Sequence, residues 1–114
     1  MKKIEAIIRK SKFREVKKAL VREGVDNFSY VLVRNVGEAT ETKVYRGVEY
    51  EVSAVERIHL TLIAGSNADK IVKTIVDHGV TGEAGDGRIM ISELSGAFRL
   101  ITKNDNDELS DLSK

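Results

Sequence analysis

Cysteine is absent from the 114 residues, which rules out disulfides and thiolate metal sites and suits a reducing compartment. Tryptophan is absent too, and aromatic residues make up 5% of the chain, so platforms on which bases could stack are not expected. Charge of one sign is missing: 19 Lys and Arg against 18 Asp and Glu leave a formal charge of +1. Neither nucleic acid nor a membrane surface is therefore an implied partner. No apolar run approaches the ~18 residues of a membrane span. The opening Met1-Lys2-Lys3-Ile4-Glu5 lacks the apolar core of a signal peptide, and a cytoplasmic location is the expectation. His59 and His78 do not stand at metal-ligand spacing, and no set of nucleophile, base and orienting group can be argued from the residues. No catalytic residue and no metal ligand are assigned, and the chain is not expected to be an enzyme.

What is present reads as one folded domain. Hydrophobic residues are 41% and charged residues 32% of the chain, the balance of a globular protein. A chain of this length buries about two-thirds of its unfolded surface. Residues 3–9 alternate as a strand, with Ile4, Ala6 and Ile8 on one side. Ser11 is the expected N-cap of a helix carrying Phe13, Val16, Ala19 and Leu20, with Gly24 at its C-terminal cap. Residues 28–36 form a second strand, and residues 55–64 a third with Ile58, Leu60 and Leu62 on one face. Between them, from Gly37 to about Glu49, the pattern stops, over a length unusual for a hairpin connection. Gly65-Ser66-Asn67 ends the third strand and caps a helix with Ala68, Ile71, Val72, Ile75 and Val76 that ends at Gly79. Residues 88–94 form a fourth strand, Gly96 interrupts, and residues 97–102 form a short extra one. Residues 103–114 are polar and acidic, without the glycine or spacing of a calcium loop, and read as a flexible tail.

Between the second helix and the fourth strand lies Thr81-Gly82-Glu83-Ala84-Gly85-Asp86-Gly87-Arg88-Ile89. Gly82 and Gly87 have the G-x-x-x-x-G spacing of a phosphate loop, but Arg88 and Ile89 follow where Lys and a hydroxyl opening a helix are needed. A Walker-type site and a dinucleotide fold are both excluded. Two readings stay open on the residues alone: a tight turn that needs its glycines, or a nest of amides for an anion with Arg88 adding charge.

The order β-α-β-β-α-β is ferredoxin-like, an α+β fold with two helices on one face of an antiparallel sheet. The other face should be polar in a monomer. Ile7, Val31, Val33, Ile63 and Met90 fall on it instead, which predicts a homo-oligomer.

Three segments together, Met1-Lys2-Lys3-Ile4-Glu5-Ala6-Ile7-Ile8, Tyr45-Arg46-Gly47-Val48-Glu49-Tyr50 and the glycine stretch, resemble the PII signal-transduction proteins. The resemblance runs over residues 1–102 in the same order and nearly the same spacing. It implies a homotrimer that binds adenine nucleotides, ATP, ADP or AMP with magnesium as a possible companion, in clefts between subunits. It implies a T-loop over residues 37–50 that docks on a target transporter or metabolic enzyme, and a B-loop over residues 81–88. The nucleotide-binding positions carried over are Ile7, Ser29, Gly37, Glu38, Ile63, Gly85, Asp86, Gly87, Arg88 and Arg99. Tyr50 aligns with a tyrosine that some members carry as a modification site.

The departures from the family pattern concern one ligand. Members that bind 2-oxoglutarate use a glutamine at the T-loop base and a lysine before the third strand, where this chain has Ala39 and Arg57. Ile101 replaces a second C-terminal arginine, Thr61 an acidic residue, and Asn35 a common glycine. These changes argue against 2-oxoglutarate sensing and for a divergent PII-like branch. The alternative expectation is a small ferredoxin-like trimer that handles metals or has enzymatic activity, in the manner of divalent-cation-tolerance proteins.

Overall fold

Ile4, Ala6 and Ile8 alternate along β1 (Lys2–Arg9) and are almost completely buried. β1 is one of the two central strands of the main sheet, flanked by strands on both sides. A computed structural model describes residues 1–25, 27–36, 41–45, 48–52, 55–100 and 110–111, with backbone pairing alone for those between 41 and 52 and for 110–111. The main sheet has the order β2-β5-β1-β6, with β2 at Ser29–Asn35, β5 at Val55–Ala64 and β6 at Gly87–Glu93. Every neighbouring pair is antiparallel. Two helices, α1 (Phe13–Arg22) and α2 (Ala68–Gly79), send Val16, Leu20, Ala68, Ile71 and Ile75 into one core with Ile4, Ile58, Leu60 and Leu62. Both helices therefore cover the same face, and the expected ferredoxin-like arrangement is the one observed.

The end of α1 shows how local sequence sets a boundary. Gly24 has φ +88°, its amide donates to the Val21 carbonyl, and the Val25 amide donates to the Leu20 carbonyl. This is the paired closure of a Schellman motif, and Val25 joins Leu20 in the core. The start of α1 differs from expectation. Ser11 is not the N-cap: it lies inside a 3-10 turn at Lys10–Lys12, and Lys12 takes the cap position without a side-chain hydrogen bond. The tight turn brings the chain directly from β1 into the helix and leaves no extended residue for a serine cap to occupy. The second helix starts at Asn67 as expected, although again without a side-chain cap bond.

The segment without pattern contains a paired ribbon. β3 (Glu41–Tyr45) and β4 (Val48–Val52) are antiparallel, with Tyr45 opposite Val48. β3 has no alternation to reveal it, whereas in β4 Val48, Tyr50 and Val52 alternate with Glu49 and Glu51, a strand signal only five residues long. β7 (Phe98–Arg99) falls within the expected short strand and pairs with β8 (Ser110–Asp111). Residues 101–109 and 112–114, most of the expected tail, lie outside the described residues. Among the described residues no helix is long and apolar enough to cross a membrane.

Candidate functional site

The loop from Val80 to Asp86 connects α2 to β6, and its shape follows from one carboxylate. Asp86 accepts hydrogen bonds from the Thr81 amide at 2.9 Å, the Thr81 hydroxyl at 2.5 Å and the Gly82 amide at 3.0 Å. Its Oδ1 also accepts from Arg9 Nε at 2.8 Å. Arg9 hydrogen bonding foremost, then the Thr81 hydroxyl and amide, holds the Asp86 carboxyl well below the usual carboxylate range; burial pushes weakly the other way. The carboxylate closes the loop on itself, so the side chain of Asp86 faces protein rather than a ligand.

Two arginines grip the loop backbone. Arg9 Nη2 donates to the Ala84 carbonyl at 2.9 Å, and Arg57 Nη2 donates to the Gly85 carbonyl at 3.1 Å. Arg57, 6% exposed, also donates from Nη1 to the Glu56 carbonyl at 3.0 Å. Three glycines permit the path: Gly82, Gly85 and Gly87 have φ of 87°, 91° and 115°. At Gly87 the requirement is absolute, because a Cβ there would stand 1.8 Å from the Ile7 carbonyl oxygen. Among the described residues the amides of Ala84, Gly85 and Asp86 donate to no protein acceptor, and the exposed side chain of Arg88 makes no ion pair or hydrogen bond.

The positions expected to hold nucleotide divide into two groups. Ile7, Asp86, Gly87 and Arg88 line a hollow of about 270 Å³ beside α2, with Gly85 next to them on the same loop. Ser29, Ile63 and Arg99 line a second hollow of about 330 Å³ with Phe28 and Thr61. Arg88 stands on β6 and Ser29 on β2, the two edge strands of the sheet. Three strand spacings, about 14 Å, separate those edges, so one chain does not bring the groups together. Gly37 and Glu38 lie outside the described residues, as do Ala39 and Ile101; Tyr50 pairs with Lys43 in β4, and its side chain is likewise outside them.

The face away from the helices carries the residues expected there. The register aligns Arg88, Ile7, His59 and Val31 across the four strands, and Met90, Glu5, Thr61 and Ser29 in the next row. Val31 is 58% and Ile63 41% exposed. His59 Nε2 lies 3.2 Å from Glu5 Oε1, within ion-pair reach but without the alignment of a hydrogen bond. His78, at the end of α2, donates from Nδ1 to the Thr74 carbonyl at 2.9 Å. No group of three or more His, Cys, Asp or Glu among the described residues is placed to hold a metal ion.

The sequence gives no signal for Arg9, places Thr81 only as the first residue of the expected B-loop, and marks Arg57 only as a replaced lysine. Arg9 ends a strand and Thr81 opens a turn, both ordinary places for polar residues; what singles them out is the β1–β5 register and the closure of the loop.

Comparison with known proteins shows the family. The sequence profile described as Nitrogen regulatory protein P-II matches residues 1–104. A protein of that name from Pyropia yezoensis is 41% identical over 110 residues, covering 95% of this chain and 98% of the relative. The Nostoc punctiforme protein of the same name is 39% identical over 110 residues with the same coverage. The Haemophilus influenzae one is 31% identical over 110 residues, again covering 95% and 98%.

Proposed function

The chain belongs to the P-II family of nitrogen regulatory proteins, and from that premise we propose that it is a trimeric sensor of adenine nucleotides whose phosphates lie on residues 81–88. A signalling regulator is the role the family supports. The observation that carries the finer reading is the loop itself. Its carboxylate is turned inward, the Gly85 and Asp86 amides are unclaimed by described residues, and an exposed arginine follows. Such an arrangement suits a phosphate, through backbone donors and a charge-assisted contact.

The division of the site residues between opposite edges supports a cleft shared by two copies. One copy supplies Gly85, Gly87 and Arg88, with Ile7, and a neighbour supplies Ser29, Ile63 and Arg99. The apolar positions on the open sheet face supply a reason for copies to associate. Bound ATP, ADP or AMP, with or without magnesium, biases residues 37–50 between states that dock on or leave a target transporter or metabolic enzyme. It can do so only through different affinity for the two states. 2-Oxoglutarate is not expected as a co-effector. Arg57, where members binding it carry lysine, already donates to the Glu56 and Gly85 carbonyls.

Calorimetry of the purified protein against ATP, ADP and AMP, each with and without magnesium and 2-oxoglutarate, tests this reading. Nucleotide binding without a 2-oxoglutarate effect is expected. Arg88→Ala should weaken it about tenfold or more while leaving the circular dichroism unchanged. Wild-type affinity in the variant sinks the assignment of residues 81–88.

A further inference from the structure

Arg9 and Arg57 are directly opposite each other in the β1–β5 ladder. Like charges in that position repel, and a turn that only reverses the chain has no need of them. Both guanidinium groups reach the same place: Arg9 takes the Asp86 carboxylate and the Ala84 carbonyl, and Arg57 takes the Gly85 carbonyl. The two carbonyls are consecutive.

A trans peptide is planar, with its C=O and N–H pointing in opposite directions, and no cis peptide bond is present among the described residues. The Ala84 carbonyl shares its peptide unit with the Gly85 amide, and the Gly85 carbonyl shares its unit with the Asp86 amide. A guanidinium drawing each carbonyl to one side therefore turns the next N–H to the other. Those two amides, like that of Ala84 before them, donate to no protein acceptor among the described residues. A glycine loop left to itself samples many orientations of these peptide units, and ordering them when a ligand arrives costs affinity.

We propose that Arg9 and Arg57 are positioning residues for the anion site. Each guanidinium holds one peptide unit so that the amides of Gly85 and Asp86 are aimed at phosphate before it binds. The inference rests on the nucleotide reading above and adds to it two residues that do not touch the ligand through these bonds. It also accounts for two buried or half-buried arginines meeting in one ladder: Arg9 is neutralised by the loop it orients, through an ion pair to Asp86 formed by side chains 18% and 19% exposed, and Arg57 places one of its donors on the same loop. The two arginines are not equivalent. Arg9 uses Nε and Nη2 on two acceptors, a fork that lysine cannot reproduce. Arg57 needs a single donor at Gly85, which lysine can supply.

The test is calorimetry with ATP and ADP on the wild type and on Arg9→Ala, Arg9→Lys, Arg57→Ala and Arg57→Lys, together with amide NMR spectra of each. Both alanine variants should lose about tenfold or more in affinity for ATP. Arg57→Lys should return to within about threefold of wild type, and Arg9→Lys should not recover. The Gly85 and Asp86 amide resonances should shift in the ATP-free alanine variants while core amides such as Ile4 and Leu60 stay in place, a pattern that general destabilisation does not produce. If an alanine variant fails to fold, the two lysine variants still decide the matter through their opposite outcomes. Wild-type binding with undiminished affinity in the folded alanine variants, or equal affinities for Arg9→Lys and Arg57→Lys, overturns the inference and leaves the nucleotide reading standing. A wild type that binds neither ATP nor ADP removes both.

Discussion

Asp86 shows how one side chain can link a loop to the surrounding pH. Its carboxyl is held far below the ordinary Asp value of 3.8, by Arg9 first and Thr81 second. A group whose folded pKa is depressed contributes stability above its unfolded value and loses it as the pH falls towards the folded one. Asp86→Asn should therefore be less stable than wild type at pH 7, and the gap should close as the pH drops below about 4. Urea denaturation of both proteins between pH 7 and pH 3 checks this, and a gap that stays constant over the range counts against it. At this scale the sequence was partly legible. The family resemblance implies Asp86 among the site residues for its amide, whereas its carboxylate serves the loop's own amides and Arg9, 77 positions away. Long-range partners of that kind leave no trace in spacing.

The start of β6 makes the same point for an element. Gly82 and Gly87 look interchangeable in a glycine-rich stretch, and the structure separates them. Gly82, at φ +87°, has open space where a Cβ would go, whereas at Gly87 the Cβ would meet the Ile7 carbonyl at 1.8 Å. Gly87 is paired with Ile8 at the end of the β1–β6 ladder, so relieving the overlap means opening that end of the sheet. Gly82→Ala should cost about 1–2 kcal/mol, the price of a left-handed residue. Gly87→Ala should cost roughly 3–5 kcal/mol, conformational strain and overlap together. Urea midpoints of the two variants would measure the difference, and equal losses would show that strand β6 shifts to make room. The helices and main strands were readable beforehand, because Ile4, Ala6 and Ile8 at period two and Ile71 and Ile75 at helical spacing report one-sided burial directly. The β3–β4 ribbon was not expected: Glu41–Tyr45 carries no alternation, and the alternation of Val48, Tyr50 and Val52 with Glu49 and Glu51 spans only five residues.

At the scale of the whole molecule, the sheet has one face covered by helices over its central strands, with Leu32 and Ile91 half-exposed on its edge strands, and one face that carries Val31 and Ile63 in the open. Exposed aliphatics on a sheet face are a cost in water, about 25 cal/mol for each Å² of apolar surface, and association of identical chains relieves it. Light scattering at micromolar concentration should return three times the mass of one chain. Placing a charge on that face through Val31→Glu should lower the mass to that of one chain, because an unpaired carboxylate would be buried in the assembly. A wild-type mass of one chain would contradict both the oligomer and a nucleotide site that needs two copies. The same face bears Lys3, Glu5, Arg57, His59 and Arg88 in register with the aliphatics, so it is mixed rather than uniformly apolar.

Periodicity alone determined the order of the six main elements, the core-facing side of each and the apolar positions on the other side of the sheet, because burial on one face writes a repeat into the chain. The three in-register segments added the family. What only the tertiary structure decided is how residues far apart in sequence meet. The β1–β5 register sets Arg9 against Arg57, the closure of residues 81–86 gives both a common target, and the strand order puts Arg88 and Ser29 on opposite edges. A repeat reports which way a side chain faces; it carries no information about which distant backbone group that side chain will reach.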